Sequence, residues 1–251
     1  MVETLISDQN PLLKEVRRLG KTGTASPDRS ILAEGPRLLD EALRSGVEIR
    51  AVILAESAGE MAEPARFGGA RVVRVPDALF ARIASTEAPQ GVLALVRAPE
   101  WTQEDLLKGT PLLVVLDGIQ EPGNAGAILR AAEAFSATGA VFLKGTVNPY
   151  NPKALRASAG SVFRLPLVVG SAIPPGLAVY AADARAPLTL SEANFREQCA
   201  IVIGGEGSGV TPGIAARSTP VRIPTAKVES LNAAVAAGIL LYEARRQRGH
   251  S

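Results

Sequence analysis

The sequence predicts an α/β fold: a mostly parallel sheet with flanking helices, preceded by a smaller α/β domain. Three observations carry this expectation. Apolar runs of strand length, such as "PLLVVL" at 111–116, alternate with helical patterns through the second half of the chain. The stretch "RAPEWTQEDLLKGTP" at 97–111 is polar and bracketed by prolines, which suggests a linker between two domains, 1–98 and 99–251. The chain of 251 residues is 47% hydrophobic and 21% charged, the balance of a folded globular protein with room for two cores.

The elements follow in order. A short amphipathic helix is expected at 10–20. A second helix, with Leu38, Leu39, Ala42 and Leu43 on one face, ends at Gly46 and leads into a strand from Ile49 to Leu54. "ARVVRVP" (70–76) and "GVLALVRA" (91–98) are two more strands. After the linker, "PLLVVLDGI" is a strand buried on both faces, and "TGAVFLKG", "LAVYAAD", "CAIVIGGEG" and the short "TPVRIP" continue the sheet. Helices are expected after the first of these, in "NPKALRASAG" (151–160), and in "SLNAAVAAGILLYEARRQR" (230–248).

Composition narrows the chemistry. The lone cysteine, Cys199, rules out an internal disulfide or a cysteine-based zinc site. The lone histidine, His250, stands next to the C-terminus, so a histidine general base is not expected and no metal is expected. A net charge of +2 permits a nucleic-acid partner without demanding one. No apolar run reaches the roughly 20 residues of a membrane span, and no signal-peptide pattern opens the chain. A cytoplasmic protein without a membrane partner is the expectation.

Three loops leave the carboxyl ends of strands, where open α/β sheets bind ligands. The first, "DGIQEPGNAGAILR", has Gly118, Gly123 and Gly126 at the wrong spacing for a dinucleotide fingerprint. Asn124 and Ala125 follow Gly123 where a P-loop needs Lys and Ser/Thr, so nucleotide hydrolysis is rejected. Asn124 is placed to cap the next helix. Arg130 is a permanent charge among small apolar residues; pairing with Glu133 on a solvated face is its plainest reading. The second loop, "IVIGGEGSGV", surrounds Glu206 and Ser208 with glycines, which let a backbone or a ligand come close. The third leads through Ser230, a good N-cap, into a helix of small residues suited to close packing or to a subunit interface.

Together these loops resemble the SpoU family of RNA ribose 2′-O-methyltransferases, within the SPOUT superfamily. "NAGAILRAAEAF", "IVIGGEGSGV" and "IPTAKVESLNAAVAAGILLYE" match its three motifs, and "STEAPQGVLAL" and "NPKALRASAGSVFRLPL" agree as well. The resemblance implies a catalytic domain with a deep trefoil knot, a ribosomal-protein-like N-terminal domain that recognises RNA, and a homodimer through the C-terminal domain. It implies S-adenosyl-L-methionine (AdoMet) as methyl donor, held by Gly204 and the adjoining Gly205, Ile223 and Leu231. It also implies a catalytic set of Arg130, Asn124, Glu206, Ser230 and Asn232. A guanidinium keeps its proton at ordinary pH, so Arg130 is expected to orient the 2′-hydroxyl and phosphate and to stabilise alkoxide charge rather than to act as base. Lys153 and Arg156 are candidates for RNA phosphate, as are Lys14, Arg17, Arg18 and Lys21, which share one helical stripe with a solvated face as the alternative. Ribosomal RNA, most of all 23S, is favoured as substrate. A tRNA, or a non-catalytic RNA-binding or ribosome-assembly role on the same fold, remains open. The turn Thr225-Ala226-Lys227 departs from the family's usual Met-x-Gly.

Overall fold

The computed structural model describes residues 2–59 and 67–249; His250 lies outside them. The chain divides into two compact units, residues 1–100 with 150–163, and residues 101–149 with 164–251.

In the first unit the elements run β1 (Glu3–Thr4), α1 (Pro11–Thr22), β2 (Ser30–Glu34), α2 (Pro36–Arg44), β3 (Ile49–Ala55), β4 (Arg71–Val75), α3 (Asp77–Ile83) and β5 (Val92–Arg97). Helix α1 starts where the Asn10 side chain accepts from the Leu12 N–H and stops at Gly23, whose left-handed backbone ends the helix without a Cβ penalty. Its Leu13, Val16 and Leu19 are buried. The sheet order is β1-β4-β3-β5-β2, with β5 antiparallel to both β2 and β3. Strand β2 is absent from the sequence reading; all five of its residues are buried. It ends in Glu34, a carboxylate that needs partners inside a core. Oε1 accepts from the Thr86 N–H at 3.3 Å and Oε2 from the Ser85 N–H at 3.1 Å, and both hydroxyls donate as well.

The second unit opens with α4 (Gln103–Leu106), inside the expected linker. The boundary between the units, after residue 100, falls inside that expected linker, whose second part is folded. Thr102 and Asp105 form a reciprocal capping box, and Leu106 is fully buried. A Cβ on Gly139 would come within 2.6 Å of the Leu106 side chain, so this glycine makes room for it. The chain continues through β6 (Leu112–Asp117), α5 (Pro122–Ala134) and β7 (Gly139–Phe142). Helices α6 (Pro152–Ser158) and α7 (Ser161–Arg164) follow, and all but the last residue of this stretch belongs to the first unit. The chain returns with β8 (Leu167–Val169), β9 (Ala178–Ala182), β10 (Leu188–Thr189), β11 (Cys199–Gly204), α8 (Pro212–Ala215), β12 (Thr219–Arg222) and α9 (Ala233–Gln247).

The order β10-β12-β9-β11-β6-β7-β8 is parallel throughout, as the alternating pattern predicts. Strands β6 and β11 are its centre. Every residue of β6 is buried, and each fully buried Leu or Val contributes about 1.5–3 kcal/mol. Helix α9 packs against α5, where the Phe135 and Tyr242 rings meet edge to face at 5.7 Å. The Arg248 guanidinium, just past α9, donates to the carbonyls of Thr110, Pro111, Phe195 and Glu197 and ties the helix end to the sheet.

Candidate functional site

Register brings the first two loops together. Asp117 and Gly204 are paired residues at the carboxyl ends of β6 and β11, so both loops leave the sheet side by side. They touch only because they lack side chains. A Cβ on Gly205 would lie 2.6 Å from the Gly118 carbonyl oxygen, and one on Gly204 would collide with the backbone of Gly209 and Val210. The Gly209 N–H closes the turn on the Gly205 carbonyl at 2.9 Å. Glu206 stands at its tip, exposed.

The buried carboxylate of Asp117 accepts from the Thr211 N–H at 2.7 Å and anchors the far end of that turn. The sequence reading missed Asp117; its signal is an acid closing an otherwise apolar strand.

Asn124 is not the helix cap. Pro122 starts α5 one residue after Glu121, whose carboxylate caps the Gly123 N–H at 3.3 Å. Asn124 therefore sits inside the first turn with its amide free for long-range bonds. Nor does Ser230 cap α9. Asn232 does, its Oδ1 accepting from the N–H groups of Ala234 at 2.9 Å and Val235 at 3.3 Å. The chain runs two residues further before the helix begins, and Ser230 is left exposed.

This cap orients the amide. With Oδ1 facing the helix, the Asn232 Nδ2 must point away from it, and it donates to Asn124 Oδ1 at 3.0 Å and to Glu206 Oε1 at 3.4 Å. Asn124 Nδ2 donates to the same Glu206 oxygen. One residue from each of the three loops thus meets in a closed hydrogen-bond network.

Two cavities flank the network, and Glu206 and Ser208 line both. The larger, about 1100 Å³, is bounded by Gly204, Gly205, Ile223, Ser230 and Leu231, which are the four expected cofactor residues plus Ser230. Ile203, Val210, Val221 and Ala236 add apolar wall, and Asp183, Glu206 and Glu229 bring carboxylates. Apolar walls for an adenine ring, open glycine backbone and acidic groups facing a cation suit AdoMet, whose sulfonium and ammonium are both positive. The smaller cavity, about 310 Å³, is lined mainly by residues of the first loop. Among the described residues no group of three or more His, Cys, Asp or Glu side chains is arranged to hold a metal. Burial pushes the Cys199 thiol up, which keeps it unreactive.

Arg130 lines neither cavity. It is exposed on the α5 surface and has no hydrogen-bond or ion-pair partner among the described residues. The expected pairing with Glu133 is not found; Arg164 takes that carboxylate, at 2.5 Å through Nε and 3.0 Å through an amino nitrogen. The RNA candidates Lys153, Arg156 and Arg18 all belong to the first unit. Arg156 is committed to the Glu34 carboxylate at 3.4 Å and to the Ser85 hydroxyl at 3.2 Å, which fixes α6 on β2. Lys14, Arg18 and Lys21 are exposed along α1, whereas Arg17 pairs with Asp8 at 3.6 Å.

Comparison with known proteins agrees with this architecture. Residues 10–94 match the MRM3-like substrate binding domain. An uncharacterized tRNA/rRNA methyltransferase of Synechocystis sp. is 34% identical, covering 98% of this chain and 95% of that protein. The 23S rRNA (guanosine(2553)-2′-O)-methyltransferase RlmP of Bacillus subtilis is 29% identical over 95% of this chain and 98% of its own length. An AdoMet-bound rRNA methyltransferase from Sinorhizobium meliloti superposes with a TM-score of 0.83 at 28% identity, covering 98% of both chains. Residues 111–242, which hold the three loops and both cavities, match the SpoU rRNA methylase family, and the chain belongs to it.

Proposed function

We propose that this methyltransferase acts on a ribose 2′-hydroxyl of 23S ribosomal RNA. The observation that carries the reading is the Asn124–Glu206–Asn232 network, set between a cavity suited to AdoMet and a second, smaller cavity. Bound in the larger cavity, AdoMet would supply the methyl group to the 2′-oxygen, whose proton would pass to the protein.

Glu206 is the proton acceptor in this reading. Asn124 and Asn232 both donate to its Oε1, which fixes the carboxylate plane and leaves Oε2 without a partner among the described residues. Asn124 and Asn232 are positioning residues. Gly204, Gly205, Ile223 and Leu231 hold the cofactor, and the exposed Ser230 beside them is a polar contact for its edge. Arg130, a cation with no partner among the described residues, binds the RNA phosphate beside the acceptor ribose.

The first unit is the RNA-recognition part, with Lys14, Arg18, Lys21 and Lys153 as phosphate contacts. Arg156 serves instead to hold α6. The match to a substrate binding domain supports this division. A homodimer through α5 and α9 belongs to the same reading. Val235 and Tyr242 are 50% and 55% exposed and seven residues apart on α9, a stripe of apolar surface suited to a second copy. The trefoil knot of the second and third loops is also part of it; its support is that both loops border one cavity.

The test is direct. The protein is incubated with methyl-labelled AdoMet and, separately, with ribosomal RNA and tRNA from cells lacking it, and the products are digested to nucleosides. A labelled 2′-O-methylnucleoside from 23S RNA alone is expected. Label in tRNA would move the substrate, and no label in either pool would overturn the reading.

A further inference from the structure

The smaller cavity is built differently from its neighbour. Its about 310 Å³ are at the lower limit of ligand pockets, roughly 300 Å³. Beyond Asn124, Glu206 and Ser208, its walls are the turn Gly118-Ile119-Gln120-Glu121. The Gln120 amide is fixed, because its Nε2 donates to the Gly145 carbonyl in the loop after β7. Thr146, next in that loop, accepts from the Gly118 N–H at 3.0 Å and donates to the Leu116 carbonyl at 2.9 Å. The cavity is therefore a braced site and not a gap between loose loops.

We propose that this cavity receives one ribonucleoside turned out of the RNA, its ribose against Glu206 and Ser208 and its base against Gln120. The proposal deepens the transfer reading and rests on it for the placement of the cofactor. In-line transfer needs donor and acceptor on opposite sides of one point, and Glu206 and Ser208 are the side chains that border both cavities. The lining holds no aromatic ring, so the base is read by hydrogen bonds to its edge and not by stacking. A pocket of this size admits a single unstacked nucleoside and excludes a base-paired one.

The test uses the full chain saturated with S-adenosylhomocysteine and titrated with the four ribonucleoside 5′-monophosphates, followed by saturation-transfer NMR. At least one should bind without displacing S-adenosylhomocysteine, and Gln120→Trp, which fills the pocket from an exposed loop position, should abolish that binding. In the same variant KM for RNA should rise more than tenfold while AdoMet affinity changes less than twofold. A thermal melt, together with Gln120→Ala, controls for folding. Displacement of the product by mononucleotide, absence of mononucleotide binding, or wild-type KM in Gln120→Trp would each overturn the pocket. The two readings fail separately. Gln120-dependent mononucleotide binding without methylation of any RNA would sink the transfer reading alone, and methylation indifferent to Gln120→Trp would sink the pocket alone.

Discussion

Asn232 donates to the Asn124 carbonyl oxygen at 3.0 Å across 108 residues of chain. The same side chain caps α9 through its own oxygen. One amide therefore has a structural end and a functional end, and substitutions can separate them.

Asn232→Asp keeps the capping oxygen but loses the Nδ2 donor, and it sets a second carboxylate beside Glu206. Stability should stay within about 0.5 kcal/mol of wild type, since Asp and Asn cap almost equally well. Methyl transfer should fall at least tenfold. Asn232→Ala should lose activity and also about 1 kcal/mol of stability. Urea unfolding and initial-rate assays on both variants check the split; equal loss of stability would refute it.

Glu206→Gln removes the proposed proton acceptor with little change of shape. Loss of general-base assistance predicts a fall in kcat of about 100-fold or more. Calorimetric titration should find AdoMet affinity within a few-fold of wild type. A variant with normal kcat would assign the proton to water or another group.

Arg130 has no partner among the described residues, so Arg130→Ala should leave stability within about 0.5 kcal/mol of wild type. AdoMet affinity should also hold, because the side chain lies outside the larger cavity. Transfer should collapse. RNA affinity should weaken, and the dependence of log K on log salt should flatten by about one phosphate contact. An unchanged salt slope would remove phosphate from its role.

The capping box of α4 gives a pH prediction. The Lys108 ammonium, then the Thr102 N–H and hydroxyl, hold the Asp105 carboxyl at about 2, below the ordinary 3.8. A depressed carboxyl stabilises the fold above its unfolded pKa and loses that effect as pH falls through the folded one. The cap should therefore persist at pH 4 and be lost through about pH 2. Carboxyl NMR shifts of Asp105 should titrate with that midpoint, and Lys108→Ala should raise it.

Much of this was legible in the sequence because it is local. The β6 run, the 3.6-residue pattern of α1 and the glycines around Glu206 each declare themselves within a dozen residues. The family resemblance grouped Asn124, Glu206 and Asn232 with Arg130 and Ser230, but the hydrogen bonds that join the first three were not legible. The errors came from bonds that no local pattern encodes. Asn124 and Ser230 are both good capping residues, yet Glu121 and Asn232 hold those positions because the loops must reach one another before the helices start. Strand β2 was hidden because, unlike β6, its apolar run is only Ile31-Leu32-Ala33, set between the polar Ser30 and Glu34. Arg156 looked like a free cation because its partner, Glu34, lies 122 residues earlier.

Helix α6 belongs to the first unit yet is encoded after β6, α5 and β7 of the second. Its Pro152, Ala154 and Leu155 are buried, and its Arg156 engages the otherwise enclosed Glu34 carboxylate. During synthesis the first unit stays incomplete until residue 163 has left the ribosome, by which time half of the second sheet's central strand pair is already made. A truncation after residue 98 would strip Glu34 of its cation, and a fragment beginning at residue 99 would carry an orphan apolar helix. A single cut near residue 98 therefore leaves the first unit without part of its own chain and the second with a helix that is not its own.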